Sequence, residues 1–291
     1  MNTYLEAFYN AFINSATWTW NSITFNTPIH QNYFWGLIII SLVVWFLEIV
    51  FPWRKEQSIF RKDFWLDASY MFFNFFIFTI IISGFYNVLE LFFESFGLTI
   101  TSFQLINLKH LPVWLELVVF FVLLDFVQWF THVMLHRFEF LWQFHKVHHS
   151  VKQMGFAAHL RYHWMENILY KPLKLLAVML IGGFEPEQAF IVHFAAITIG
   201  HLNHANIKLS YGPLKYIFNN PVMHLYHHAY TLPKKHKHGV NYGISLSIWD
   251  YIFNTNYIPE ASGKITLGYS GDSKMPKNFF RQLVFGLKKQ S

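Results

Sequence analysis

Apolar residues in this chain gather in long stretches. The first, 34–51, carries one charge, Glu48. The second, 64–96, is too long for one ordinary crossing and predicts a helix that crosses once and then runs along or re-enters the bilayer. The third, 111–130, holds Glu116 and Asp125, and the fourth, 168–184, is followed after Glu185-Pro186-Glu187 by 188–199. About 20 apolar residues span a bilayer, so the first three are expected to cross. The last two are expected to form a shorter hairpin, 168–203, tilted or not fully crossing. Strand signals are sparse. The expected fold is therefore all-α: a polytopic membrane helical bundle of about four transmembrane helices, with a cytosolic helical histidine-rich metal-binding region.

Residues 1–33 are aromatic-rich and are expected at the outer interface, ahead of a membrane anchor that ends at 131. Residues 132–258 form the expected catalytic region around the hairpin, and 259–291 a basic tail. Between Pro276 and Lys289, Phe279, Phe280, Leu283, Val284 and Leu287 alternate with basic residues. That pattern suits an interfacial amphipathic helix or a helix packed on the domain.

Composition sharpens this picture. The 291 residues are 54% hydrophobic and 13% charged, against about 25% charged in a soluble domain. A soluble helical protein with long core helices is the weaker alternative. The first basic residue is Arg54, so the N-terminus lacks the positive region of a secretory signal. With the N-terminus outside, 21 of the 22 lysines and arginines fall on the inner side, Lys109 being the exception. Such one-sidedness sets orientation, so the net charge of +6 reads as topology and contact with anionic lipid, not nucleic acid. There is no cysteine, which excludes thiolate metal sites, iron–sulfur clusters and disulfides.

Candidate chemistry lies in the histidines. Thirteen of 17 fall between His132 and His228. His132-x3-His136 follows the third apolar stretch, and His145-x2-His148-His149 and His224-x2-His227-His228 repeat one spacing. Positions i, i+3 and i+4 share a helix face, so each box is expected to aim two or three imidazoles at one point. Imidazole suits iron, copper, zinc or nickel, and eight clustered imidazoles exceed what one ion uses. His30, His110 and His193 read as hydrogen-bonded core residues, and His236 and His238 as part of a solvated basic loop. Asp125, seven residues before His132, is expected to hydrogen-bond a ligand imidazole or to pair with an arginine.

The motifs together resemble the fatty acid hydroxylase / sterol desaturase superfamily over roughly residues 112–258. They are Asp125…His132-x3-His136-Arg137, Leu141-Trp142-x-Phe144-His145-x2-His148-His149-Ser150, Arg161-x-His163-x2-Glu166, His204-Ala205-Asn206, Asn220-Pro221-x2-His224-x2-His227-His228, Asn241-Tyr242-Gly243 and Trp249-Asp250-x2-Phe253. The resemblance implies a membrane-bound di-iron oxygenase or desaturase using O2. Its implied metal ligands are His132, His136, His145, His148, His149, His204, His224, His227 and His228. His201 is a weaker candidate, and His163 is either a ligand or a neighbour of one. Arg161, Glu166, Asn206 and Asp250 join Asp125 as implied catalytic residues. The family's Phe-Gly-Thr reads Phe253-Asn254-Thr255 here, which is expected to alter a turn only. The order around Asn220-Pro221 and Asn241-Tyr242-Gly243 also resembles alkylglycerol monooxygenases, which use a pterin.

An aliphatic C–H bond yields only to a redox metal. The sequence shows no dinucleotide-binding glycine fingerprint, haem motif or ferredoxin cysteines. Electrons are expected from a separate donor, a ferredoxin or cytochrome b5-like protein with its reductase. The expected substrate is a lipid (sterol or hopanoid, fatty acyl, carotenoid or ether lipid), hydroxylated or desaturated. The alternatives are an acyl-lipid desaturase of the separate membrane family and a non-enzymatic metal-binding or transport protein.

Overall fold

In the computed structural model, residues 3–259 and 265–287 are described. Helix α1 (Thr3–Ile23) leads to α2 (Tyr33–Val50), whose first turn is capped by the Asn32 side chain accepting from Trp35 N at 3.0 Å. α3 (Phe64–Phe72) continues through a π turn, Phe73–Ile77, into α4 (Phe78–Glu94). A two-residue strand β1 (Ile106–Asn107) precedes α5 (Val113–Arg137) and α6 (Glu139–His149). α7 (Trp164–Leu180) and α8 (Pro186–His204) flank β2 (Ile181–Gly182), which pairs in parallel with β1. The short helices α9 (Pro221–His227), α10 (Ile248–Ile252) and α11 (Phe279–Leu283) complete the chain.

Among the described residues, three helical runs are long and apolar enough to cross a membrane: Tyr33–Val50, Phe64–Glu94 and Val113–Arg137. Few of their residues are buried, and many apolar side chains face outward, for example Leu42, Phe46, Phe85, Leu89, Trp114 and Val118. Such faces need hydrocarbon around them, and the helices satisfy their own backbone groups. The protein is an integral membrane protein, mostly helical and with almost no strand among the described residues.

Two sequence expectations change here. The 64–96 stretch does not fold back on itself; it is one helical run whose 31 residues reach about 46 Å. That exceeds the hydrocarbon core, and its first turn projects beside the histidine region, where Asp67 meets Arg61 and Arg161. The aromatic N-terminal segment is likewise helix α1, laid along α4. The Phe8 ring covers Gly84, where a Cβ would come within 2.6 Å, and Ser83 Oγ donates to the Ala11 carbonyl.

The hairpin arms α7 and α8 fall short of the length and apolarity of a span. Both nevertheless run between the same two ends as α5. At one end Lys109 pairs with Glu185 (3.0 Å) and Gln31 donates to Glu187 (3.0 Å). At the other, Trp53 N donates to the Asn206 carbonyl (2.7 Å), and Glu166 and His204 meet the histidines of α6. The hairpin thus returns the chain to the end it left. Lys171 and Lys174 lie between the two ends, so they leave the one-sided group of basic residues to which the sequence reading assigned them.

The tail packs on the domain. Phe279 stands edge-on to Tyr70 (4.9 Å), and the Leu283 carbonyl accepts from His163 Nε2 and Trp164 Nε1, both at 2.7 Å. The tail's basic residues Lys288 and Lys289 lie outside the described residues.

The cysteine-free sequence makes the two-ended layout testable. In sealed vesicles, single cysteines at Lys109→Cys and Lys237→Cys are expected to react with an impermeant thiol reagent from opposite sides. Labelling of both from one side would contradict the layout.

Candidate metal centre

Helix ends bring the histidines together. His132 and His136 lie in the last turns of α5, His145, His148 and His149 in α6, His204 at the end of α8, and His224, His227 and His228 in and just after α9. Asn220 caps α9 by accepting from Met223 N at 3.0 Å, and Pro221 starts its first turn, a preorganised N-terminus.

Among the described residues, the imidazoles form two groups. His132, His136, His145, His149 and His227 make one, and His148, His204, His224 and His228 the other. Within each, all ligand atoms lie within 4.8 Å of one another. Metal–nitrogen bonds of about 2 Å place the ligands of one ion within about 4 Å of each other, so each group has the dimensions of one coordination shell. The groups adjoin, with the His149 and His228 rings 4.4 Å apart.

Each box aims two imidazoles at one group, as expected, and each H-x-x-H-H box sends its third imidazole to the other group. In 145–149 the i, i+4 pair His145 and His149 enters the first group, while His148 enters the second. In 224–228 the i, i+4 pair His224 and His228 enters the second group, while His227 enters the first. The cause is helical geometry: consecutive residues diverge by about 100° around the axis, so His148 cannot share a target with His149. One spacing serves two sites by dividing its members.

Hydrogen bonds fix the tautomers. A ring nitrogen facing a carbonyl or carboxylate oxygen must carry the proton. His132 Nδ1 donates to the Tyr242 carbonyl (2.7 Å), His136 Nδ1 to the His238 carbonyl (3.0 Å) and His145 Nδ1 to Glu166 Oε2 (2.9 Å). His148 Nδ1 donates to the Arg161 carbonyl (3.0 Å), His204 Nδ1 to Gly200 (2.7 Å) and His227 Nδ1 to Val240 (2.7 Å). Their Nε2 lone pairs therefore point inward. His132 and His145 oppose Nε2 to Nε2 at 3.1 Å, and His148 and His204 at 3.4 Å. Two acceptors at that distance repel unless a cation lies between them. His136, His149 and His227 also bury Nε2 with no hydrogen-bond partner. A donor set of neutral, inward-facing imidazoles without sulfur fits iron, and equally zinc or copper.

Burial, with the neighbouring imidazoles, holds the pKa values of His145, His148, His149, His224, His227 and His228 well below the usual 6.5. All six are neutral at pH 7, the form that binds metal.

The fatty acid hydroxylase family profile matches residues 117–255, which contain both groups. Residues 117–255 carry the fold signature of the fatty acid hydroxylase / sterol desaturase superfamily. It is 31% identical over 173 residues to an ornithine lipid hydroxylase, OlsE, of Rhizobium tropici, covering 60% of this chain and 50% of that protein. It is 30% identical over 179 residues to the alkylglycerol monooxygenase of Homo sapiens, covering 57% and 37%. The Caenorhabditis elegans alkylglycerol monooxygenase is 29% identical over 138 residues, covering 45% and 25%. The matches thus span half or less of these relatives' own lengths. No solved structure matches the chain.

The remaining superfamily motif residues surround the imidazoles without reaching in. Asp125, expected to bond an imidazole or an arginine, does neither: it accepts from Ser245 N, Leu246 N and Trp249 Nε1 at 3.0–3.2 Å. Asp250 accepts from Tyr242 N, Gly243 N, Trp129 Nε1 and Thr255 Oγ1, and so shapes the turn whose carbonyl receives His132. Arg161 acts through its carbonyl; its side chain is committed to Asp67 (3.1 Å), Asp63 (3.4 Å) and Ser150 (2.8 Å). Asn206 clamps Arg54 through N–H (2.9 Å) and carbonyl (3.1 Å) bonds. None of these four side chains hydrogen-bonds an imidazole of either group. Glu166 alone touches the centre, orienting His145 while its other oxygen accepts from His163 N at 3.2 Å.

Two candidate ligands fall outside the groups because their nitrogens are occupied. His163 caps α7 through Nδ1, accepting from Met165 N (3.2 Å), and donates from Nε2 to Leu283. His201 faces Ser41 Oγ (3.1 Å) and His159 Nδ1 (2.8 Å). His30 and His110 are exposed rather than core, and His193 faces a cavity. Asn254 adopts φ 55°, the left-handed region that asparagine tolerates, so it replaces the family glycine with the turn intact. His159, which no spacing in the sequence marks, packs 5.1 Å from the His204 ring.

A cavity of about 590 Å³ opens from His132, His145, His148 and His204 and runs between α1, α5, α7 and α8. Its walls are largely apolar, with Phe75, Phe120, Leu124 and Ile197 among them. That volume suits a small-molecule site.

The depressed histidines set a pH dependence for the metal-free chain. The unfolded chain takes up protons near pH 6.5 and the folded chain only well below it, so stability is present above about 6.5 and lost as pH falls. The thermal midpoint of chelator-treated protein is expected to drop steadily from pH 7.5 to 5.5. A midpoint that rose or stayed level would contradict neutral imidazoles.

Proposed function

We propose that this protein is a membrane-bound di-iron oxygenase that uses O2 to hydroxylate a lipid, with its metal centre at the cytosolic face. The observation that carries the reading is the pair of adjoining imidazole groups at the mouth of an apolar cavity. The hydroxylase and monooxygenase names of the relatives support hydroxylation over desaturation, and the basic residues near the histidine end support a cytosolic placement.

His132, His136, His145, His149 and His227 would hold one iron, and His148, His204, His224 and His228 the other. Two irons held there supply the oxidising power that an aliphatic C–H bond demands. The chain's own groups do the rest. Glu166 and the carbonyls of Tyr242, His238, Arg161, Gly200 and Val240 keep each donor nitrogen aimed inward, which preserves ligand basicity. Phe75, Phe120, Leu124 and Ile197 keep water away and hold an alkyl chain against His132 and His148. Electrons would come from a separate donor. The exposed Lys234–His238 loop, whose His238 carbonyl accepts from His136, offers the direct route.

Protein purified without chelator is expected to carry about two metal ions per chain; one tightly held ion would contradict the reading. His148→Ala and His227→Ala, which remove one ligand from each group, are each expected to lower metal content and abolish lipid oxidation. His30→Ala and His110→Ala, on exposed positions, are expected to change neither. The readout is metal analysis beside the gain of one oxygen in extracted lipid.

A further inference from the structure

One wall of the cavity is a single face of α7. Glu166, Asn167, Tyr170, Lys171 and Lys174 all line it, following the i, i+4, i+8 row of a helix. Glu166 marks the metal end through its bond to His145. A rise of 1.5 Å per residue carries Lys171 roughly 8 Å and Lys174 roughly 12 Å farther from that end. Two ammonium groups therefore stand deep in a largely apolar chamber, between the two ends of the membrane bundle.

Neither lysine has an acidic partner there. Lys171 Nζ donates to Thr79 Oγ1 (3.1 Å) and lies 5.8 Å from the Phe78 ring. Lys174 Nζ lies 5.6 Å from the Tyr170 ring. Neither forms an ion pair among the described residues. Opposite them, α5 presents Asp125 and Gln128, and α8 presents His193. Asp125 is the acid that acts on Lys174, but both its oxygens already receive N–H donors from the 245–249 segment. Ionisable side chains at membrane depth face a partner or a transported or bound group. In this chamber the protein supplies no free anion, so a ligand must.

We propose that Lys171 and Lys174 bind the acidic group of the lipid substrate, a carboxylate or a phosphate. The carbon presented at the metal centre is then set by its distance from that group. The inference rests on the oxygenase reading for the fate of the lipid, not for its binding.

Binding separates the two. Hexadecanoic acid, hexadecyl phosphate and hexadecanol share one chain and differ in the headgroup. Titrated calorimetrically into detergent-solubilised protein at neutral pH, one or both acids are expected to bind at least about tenfold tighter than the alcohol, as for charge-assisted hydrogen bonds. Which acid wins distinguishes carboxylate from phosphate. The Lys171→Met, Lys174→Met double variant keeps the apolar stems and is expected to erase the preference while binding the alcohol as before. The corresponding double arginine variant should restore it, and Lys109→Met, on an exposed lysine, should leave it unchanged. Equal metal content shows that the centre survives each change.

Equal binding of acid and alcohol by the wild-type protein would overturn the proposal, as would a preference that survives in the double methionine variant. Headgroup preference without lipid oxidation by metal-loaded protein would instead overturn the oxygenase reading and leave the lysine site standing.

Discussion

Everything at the histidine end of this protein depends on where a few imidazole protons sit. Six histidines give their Nδ1 proton to an oxygen, five to main-chain carbonyls and one to Glu166. That leaves each Nε2 as a lone pair facing other lone pairs. The arrangement is unfavourable in itself and becomes favourable when cations enter, so the structure stores its affinity in the direction of hydrogen bonds. It also explains which histidines are excluded. His163 and His201 stand near the centre, but both of their ring nitrogens already have partners.

Main-chain carbonyls can direct protons only if their loops are rigid. The 240–249 segment has little regular structure, yet it supplies the Val240 and Tyr242 carbonyls. Two buried aspartates hold it. Asp250 gathers the 242–243 amides, and Asp125 gathers those of 245–246 from inside α5. Trp129 and Trp249 donate across to Asp250 and Asp125, which cross-links the span to the loop. Buried carboxylates are costly unless their oxygens are satisfied, and here every donor is fixed by the fold. On the other flank, the Asp67–Arg161 pair fixes the carbonyl that receives His148. The motif acids thus work at one remove from the metal site, by shaping the loops that aim the imidazoles.

This division explains what the sequence could and could not show. Apolar runs of membrane length depend on composition alone, and three of them were legible. Box spacings were legible as well, because i, i+3 and i+4 relations are local. How the boxes divide was not read from the spacing, since one H-x-x-H-H pattern suits a single target as well as two. The role of Asp125 was also hidden: its partners lie about 120 positions away, and only tertiary folding says whether a buried acid meets an imidazole, an arginine or a bare amide. His159 gave no signal because its place depends on Gly200, where a Cβ would come within 2.2 Å of the ring. The 64–96 stretch misled for another reason. A helix longer than the bilayer can fold back or project, and its apolar composition does not say which; here the run continues through a π turn to Asp67, which pairs with Arg61 and Arg161.

The two ends of the molecule also differ in what holds them together. The bundle rests on helices whose backbone bonds are internal and whose outward faces suit lipid, so it needs no ligand to persist. The histidine end is different: α9 is seven residues long, and isolated helices of that length are unstable. It is anchored by Asn220, by the Met223 carbonyl accepting from Asn241 (2.9 Å), and by imidazoles that face one another. Because these imidazoles repel without a cation, a metal bound there would contribute directly to the order of α9 and the 240–249 loop. Both elements also border the route by which His238 reaches the surface. A metal held there would satisfy the opposed lone pairs and, by the same contacts, hold α9 against the 240–249 segment.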